Sequence, residues 1–145
     1  MAITREEVAQ AMHGWVEAFN ARDVARVWAM EGGGVGYGYR TRAPRAVTTS
    51  DDAEFKRWSA RFFETFESRR MELEILETDV AGQHGLAWGT YVEKKKKKGF
   101  APEQARVRFS QVMSRDESGW RVVMFHRDIQ PFDERGVYPR SLTTL

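Results

Sequence analysis

The sequence predicts an α+β domain in which helices gather on one face of a curved, mainly antiparallel sheet. Two observations carry that expectation. Up to about Phe66 apolar residues recur at helical spacing, and from Met71 onward the pattern turns to period two. The resulting order is helix, helix, strand, helix, then four antiparallel strands.

Thr4-Arg5-Glu6-Glu7 has the spacing of a capping box, and Val8, Met12, Trp15 and Phe19 then share one face of a helix running to about Asn20. His13 falls on its polar side. Asp23 caps a short second helix holding Val24, Val27 and Trp28, which Gly32-Gly33-Gly34 stops. Val35 to Tyr39 alternates large side chains with glycine, as a strand does when something presses on one face. Residues 40–49, with Pro44, form a loop. Ser50 or Asp51 caps a third helix, with Phe55, Trp58, Phe62 and Phe66 on one face and Arg69 and Arg70 at its C-terminal end. Strands follow over Met71–Val80, Leu86–Lys95, Ala105–Ser114 and Trp120–Asp128. The run Lys94 to Lys98, with Gly99 and Pro102, forms a solvated hairpin tip. An extended tail begins at Ile129.

At 145 residues the chain is one domain, large enough to bury a core without metal or disulfide staples. It has no cysteine, which removes thiol nucleophiles, disulfides and cysteine-metal sites and fits a cytoplasmic location. The acidic, amphipathic start is no signal peptide, and no apolar run approaches the ~18 residues of a membrane span. The net charge of +2 owes five positives to the lysine run, and the rest of the chain is mildly acidic. Without a wider basic stripe or interleaved aromatics, neither nucleic acid nor a membrane is expected as partner. The scattered histidines His13, His84 and His126 give no metal-ligand spacing, and Gly32 to Gly38 lacks a nucleotide-loop pattern, so no cofactor is expected.

Most informative is Gly119-Trp120-Arg121-Val122-Val123-Met124-Phe125-His126-Arg127-Asp128, a strand with Trp, His, Arg and Asp on an otherwise apolar ribbon. Such side chains mark an internal network or the floor of a pocket, because burial without partners is costly. Strict alternation puts Trp120, Val122, Met124, His126 and Asp128 on one face, and Arg121, Val123, Phe125 and Arg127 on the other. Only a bulge would bring His126 and Arg127 to the same side. His126 and Asp128 are candidates for a general base and its orienting acid, the alternative being that His126 is a hydrogen-bonded structural histidine at a sheet edge. Arg106, Arg108 and Ser110 converge with Arg127 as a candidate anion site, or form a solvent-facing strand face. Tyr37, Tyr39, Trp58, Trp88 and Tyr91 are candidate pocket aromatics, or core.

Phe19-Asn20-Ala21-Arg22-Asp23, Arg108-Phe109-Ser110-Gln111-Val112 and the final-strand motif resemble the nuclear transport factor 2-like superfamily. Within it they are similar to SnoaL-like proteins and the association domain of calcium/calmodulin-dependent kinase II. The resemblance covers about residues 5–132 and leaves 133–145 as a tail. It implies a cystatin-like conical barrel, three helices over a strongly bent sheet, with a cavity at the wide end and dimers or larger rings built through the sheet. In the kinase association domains an arginine follows the final-strand histidine, where Arg127 stands. A second lies near Ser110, for which Arg108 is the substitute, and Asp128 replaces a small hydroxyl. Catalytic members use a carboxylate in an apolar cavity, for which Asp128 and Asp79 are the candidates. The expected function is binding of a small anionic or amphipathic molecule, with Arg127 as anchor and His126 structural. The alternatives are an assembly module and a lyase or isomerase using His126 and Asp128.

Overall fold

The computed structural model describes residues 2–31, 38–39, 47–48, 57, 60–61 and 63–130, except for the side chains of residues 38, 39, 47, 48, 75, 129 and 130. Helix α1 spans Arg5–Asn20 and starts at the expected capping box. The Thr4 hydroxyl accepts from the Glu7 amide at 3.2 Å and the Glu7 carboxylate accepts from the Thr4 amide at 2.8 Å. Two of the orphan amides of the first turn are thereby satisfied. Thr4→Ala is expected to cost about 1 kcal/mol in urea unfolding. Helix α2 spans Val24–Glu31, with the Asp23 carboxylate accepting from the Arg26 amide at 3.1 Å.

Short strands β1 (Gly38–Tyr39) and β2 (Val47–Thr48) pair antiparallel, so β2 lies within the segment expected to be loop. The main sheet is a four-stranded antiparallel meander in the order β3 (Phe66–Ala81), β4 (His84–Lys97), β5 (Glu103–Asp116) and β6 (Gly119–Gln130). The two helices pack on one face of this curved sheet. There α1 joins Met71, Ala87, Tyr91, Val107, Phe109, Met113 and Val122 in a single core. The Asn20 side chain clamps the backbone of Met71, donating at 2.9 Å and accepting at 2.8 Å. Gly85, expected in a turn, lies in β4 under α1. A Cβ there would stand 2.5 Å from Val8 Cγ2. Gly85→Ala is therefore expected to lower stability by roughly 1–3 kcal/mol, read from the urea midpoint.

Three expectations are corrected. Phe66, Arg69 and Arg70 belong to β3 and not to the end of a third helix. Residues 57, 60–61 and 63–64 are helical, while Phe55, Trp58 and Phe62 lie outside the described residues, as does the tail from residue 131. The lysine run is not a hairpin tip. Lys94 to Lys97 continue β4 in register with β3, Lys95 is buried, and only Lys98 onward turns. Finally, the β6 faces are not those of strict alternation. Val112 pairs with Met124 but Met113 pairs with Val122, which leaves Val123 as an extra residue. This bulge shifts the phase of the strand. Trp120 and Val122 before it, and Phe125 after it, all pack against the helix-covered core.

Candidate functional site

Alternation along β4 aims Tyr91, Glu93 and Lys95 at the helix-covered face, and all three are buried. Arg69 of β3 stands directly opposite Lys95 in the register. Two cations face to face repel, unless an anion sits between them. Glu93, 1 % exposed, is that anion. The Arg69 guanidinium binds its Oε1 and lies 4.4 Å over the ring of Phe19. From β6, Arg127 Nη1 reaches Glu93 Oε2 and the Tyr91 hydroxyl, each at 3.4 Å. Burial alone would raise the Glu93 pKa, but Arg69, Arg127 and Lys95 outweigh it and hold the carboxyl below its usual range. Lys95 is pushed down to about 8, first by burial and then by Arg69 and Arg127, against the pull of Glu93.

At the end of α2, Glu31 is 2 % exposed and accepts a hydrogen bond from Trp15 Nε1 at 2.5 Å. Burial raises its pKa to about 7, against the opposing Trp15 hydrogen bond and the charge of Arg69. Gln111, 1 % exposed on β5, has no hydrogen-bond partner for either amide atom among the described residues. A cleft of ≈ 470 Å³ opens beside Arg69 and Lys95, with Asn20, Pro102, Glu103 and Gln104 among its walls. Among the described residues three cations, Arg69, Lys95 and Arg127, gather around the Glu93 carboxylate on this face, with Glu103 at its edge and the Glu31 carboxyl half-protonated near neutrality.

The expected site residues divide between the two faces. Arg127 and Tyr91 meet inside. The expected convergence of Arg106, Arg108 and Ser110 with Arg127 does not occur, because even-numbered residues of β5 point away from the helices. Arg106 instead pairs with Glu74 at 3.0 Å. Arg108 holds Asp128 with a two-pronged contact, Nε to Oδ1 at 3.2 Å and Nη2 to Oδ2 at 2.6 Å. His126 is exposed opposite Ser110 on that same outer face. Asp128 is thus engaged by Arg108 on the outer face that it shares with His126. Asp79 is no embedded carboxylate either, being half-exposed and paired with Arg5 at 2.8 Å. Trp88, 39 % exposed, also faces outward, away from Tyr91. The side chain of Tyr39, and Trp58 and Tyr37 entirely, lie outside the described residues.

Sequence reasoning missed Glu31, Glu93, Lys95, Arg69 and Gln111. A signal existed for three of them. Glu31 is four residues after Val27 on the buried face of α2, and Glu93 and Lys95 continue the period-two series begun by Ala87 and Tyr91. Among the described residues no helix is long and apolar enough to cross a membrane, and no cluster of three or more His, Asp or Glu is arranged to hold a metal ion.

A helix-covered meander with a charged interior defines an α+β, cystatin-like class of domain. A family model described as a SnoaL-like domain matches residues 8–128, and the chain belongs to that family. Among solved structures it is similar to a nuclear transport factor 2-like superfamily protein from Salmonella enterica serovar Typhimurium. The TM-score is 0.73 at 14 % identity, covering 92 % of this chain and 96 % of that one. The CaMKII hub of S. rosetta gives 0.63 at 18 %, covering 89 % and 98 %. A ketosteroid isomerase-like protein from Erwinia carotovora atroseptica gives 0.65 at 14 %, covering 86 % and 95 %. No curated protein matches this chain. At these identities the likeness shows the fold alone.

Proposed function

We propose that the domain binds a small anionic ligand, most simply a carboxylate, on the helix-covered face of the sheet, with Arg127 as its anchor. The carrying observation is the partly accessible edge of an otherwise buried cationic cluster. Arg69 and Lys95 are buried and meet solvent only along the wall of the cleft, whereas the Arg127 side chain keeps 29 % of its surface exposed. Its contacts to Glu93 and Tyr91 are long for hydrogen bonds, and a guanidinium offers a ligand carboxylate a two-pronged fork. The test is calorimetric titration with a panel of small carboxylates. Arg127→Ala is expected to weaken binding at least about tenfold, the value of a charged hydrogen bond, and His126→Ala to leave it unchanged. The reverse pattern would overturn the assignment.

A second reading concerns self-association through the outer face. There Trp88, Val123 and Met124, the last 53 % exposed, lie among the cross-strand ion pairs. Large apolar side chains grouped in this way mark an association surface, and a second copy of this chain is the occupant proposed. Light scattering over a dilution series is expected to show a dimer or larger species that Met124→Glu dissociates. A monomer mass at every concentration would reject it.

A further inference from the structure

We propose that Lys95 is an imine-forming amine, placed to capture the carbonyl carbon of a small aldehyde or 2-oxo acid entering the cleft beside β3, β4 and β5. Four observations converge on it. The residue as a whole is buried, 4 % exposed, yet it lines the ≈ 470 Å³ cleft. Its ammonium lies 5.7 Å over the ring of Phe66, and among the described residues no salt bridge or hydrogen bond holds Nζ. Burial disfavours its protonated form most, and Arg69 directly opposite and Arg127 add like-charge repulsion, against the pull of Glu93 and Glu103. Glu103 is its register partner on β5 and also lines the cleft, which puts a carboxyl close to the amine.

This combination meets the requirements of amine catalysis. The nucleophile must be the free base, and burial beside other cations is the usual way to obtain it. With a pKa of about 8, roughly half of Lys95 is neutral in mildly alkaline solution. An exposed lysine at that pH carries under about 1 % free amine. The Nζ lone pair attacks the carbonyl carbon, and the carbonyl π pair moves to oxygen, which takes up a proton. Nitrogen then loses a proton to the Glu103 carboxylate. Glu103 returns that proton to the hydroxyl, water departs, and the C=N bond forms. The balance is amine, carbonyl and the one proton taken from solvent giving protonated imine plus water; release of that proton to solvent leaves the neutral imine, with no oxidant or reductant. A preference for carbonyl compounds that also carry a carboxylate follows from Arg69 at the same cleft, and only this preference rests on the anion reading above.

The test uses the full chain incubated with glyoxylate or, in parallel, with propionaldehyde, in the presence of sodium cyanoborohydride. Any imine is thereby fixed as a secondary amine, and peptide mass mapping assigns the lysine. Lys95 is expected to be modified at least about tenfold faster than Lys94, Lys96 or Lys98, as its larger free-amine fraction requires. Its rate should rise to half-maximum near pH 8. In Lys95→Arg the labelling of the exposed lysines should be unchanged. Labelling that follows exposure, with Lys98 first and Lys95 last, would overturn the proposal. Equal labelling of Lys95 by both reagents would leave amine capture standing and remove the carboxylate preference.

Discussion

Glu93→Ala is expected to cost about 3–5 kcal/mol of folding stability, because it removes one partner of a buried ionic network and leaves the others in place. Arg69, Lys95 and Arg127 converge on this carboxylate from three strands. Without it, Arg69 and Lys95 face each other across the β3–β4 ladder with the carboxylate they share removed. A useful contrast is Glu72, which pairs with Lys94 at 2.9 Å and Arg70 at 3.3 Å on the outer face. All three of those side chains are well exposed, so Glu72→Ala should cost under about 1 kcal/mol. Urea unfolding of both variants decides the matter. Similar losses would mean that the interior is wetter than its burial indicates. Replacing Arg69 and Glu93 together by Met and Leu should recover much of the loss, since well-packed apolar residues often substitute for buried ion pairs without penalty.

That network was the least legible part of the chain, and the reasons are physical. Local signals were read correctly where they are local. The capping box at Thr4, the apolar face of α1 and the meander from β4 to β6 each depend on residues within one element. Phe66 shows the first failure. It sits four residues after Phe62, so helical period and the start of a strand predict the same residue. Arg69 and Arg70 then fit both a helix C-terminus and a strand. The bulge at Val123 left no mark either, because the inserted residue is β-branched and apolar like its neighbours, with no glycine to signal it. Its consequence is large. One extra residue puts Arg127 on the same side as Val122, and His126 and Asp128 on the other. The lysine run hid Lys95 for a related reason. Five identical residues carry no alternation of their own, so the buried one is marked only by extending the period-two series of Ala87 and Tyr91 into the run.

The stability of the protein is expected to fall as pH rises from about 4.5 to about 7, through Glu31. Its folded pKa lies above the unfolded value of 4.5, raised to about 7 by burial. The folded state therefore binds more protons than the unfolded state in that window. The contribution is fully present below pH 4.5 and is lost as pH climbs through the folded pKa. At ~1.4 kcal/mol per pH unit the loss amounts to about 3 kcal/mol. Other shifted groups act outside the window. The carboxyls of Glu7, Glu72, Asp79, Glu93 and Asp116 are all lowered, so their contributions are lost only as pH falls below the ordinary carboxylate range. Lys95 contributes only above about 8, where deprotonation relieves the cost of burying its charge. Glu31→Gln keeps an acceptor for Trp15 Nε1 while abolishing the titration. Urea midpoints measured at about pH 5 and about pH 7 should therefore diverge in the wild type and nearly coincide in Glu31→Gln. Equal slopes in the two proteins would show that Glu31 gains solvent, or a counter-charge, that offsets its desolvation, and the assignment of this carboxyl as the interior's titrating group would fail.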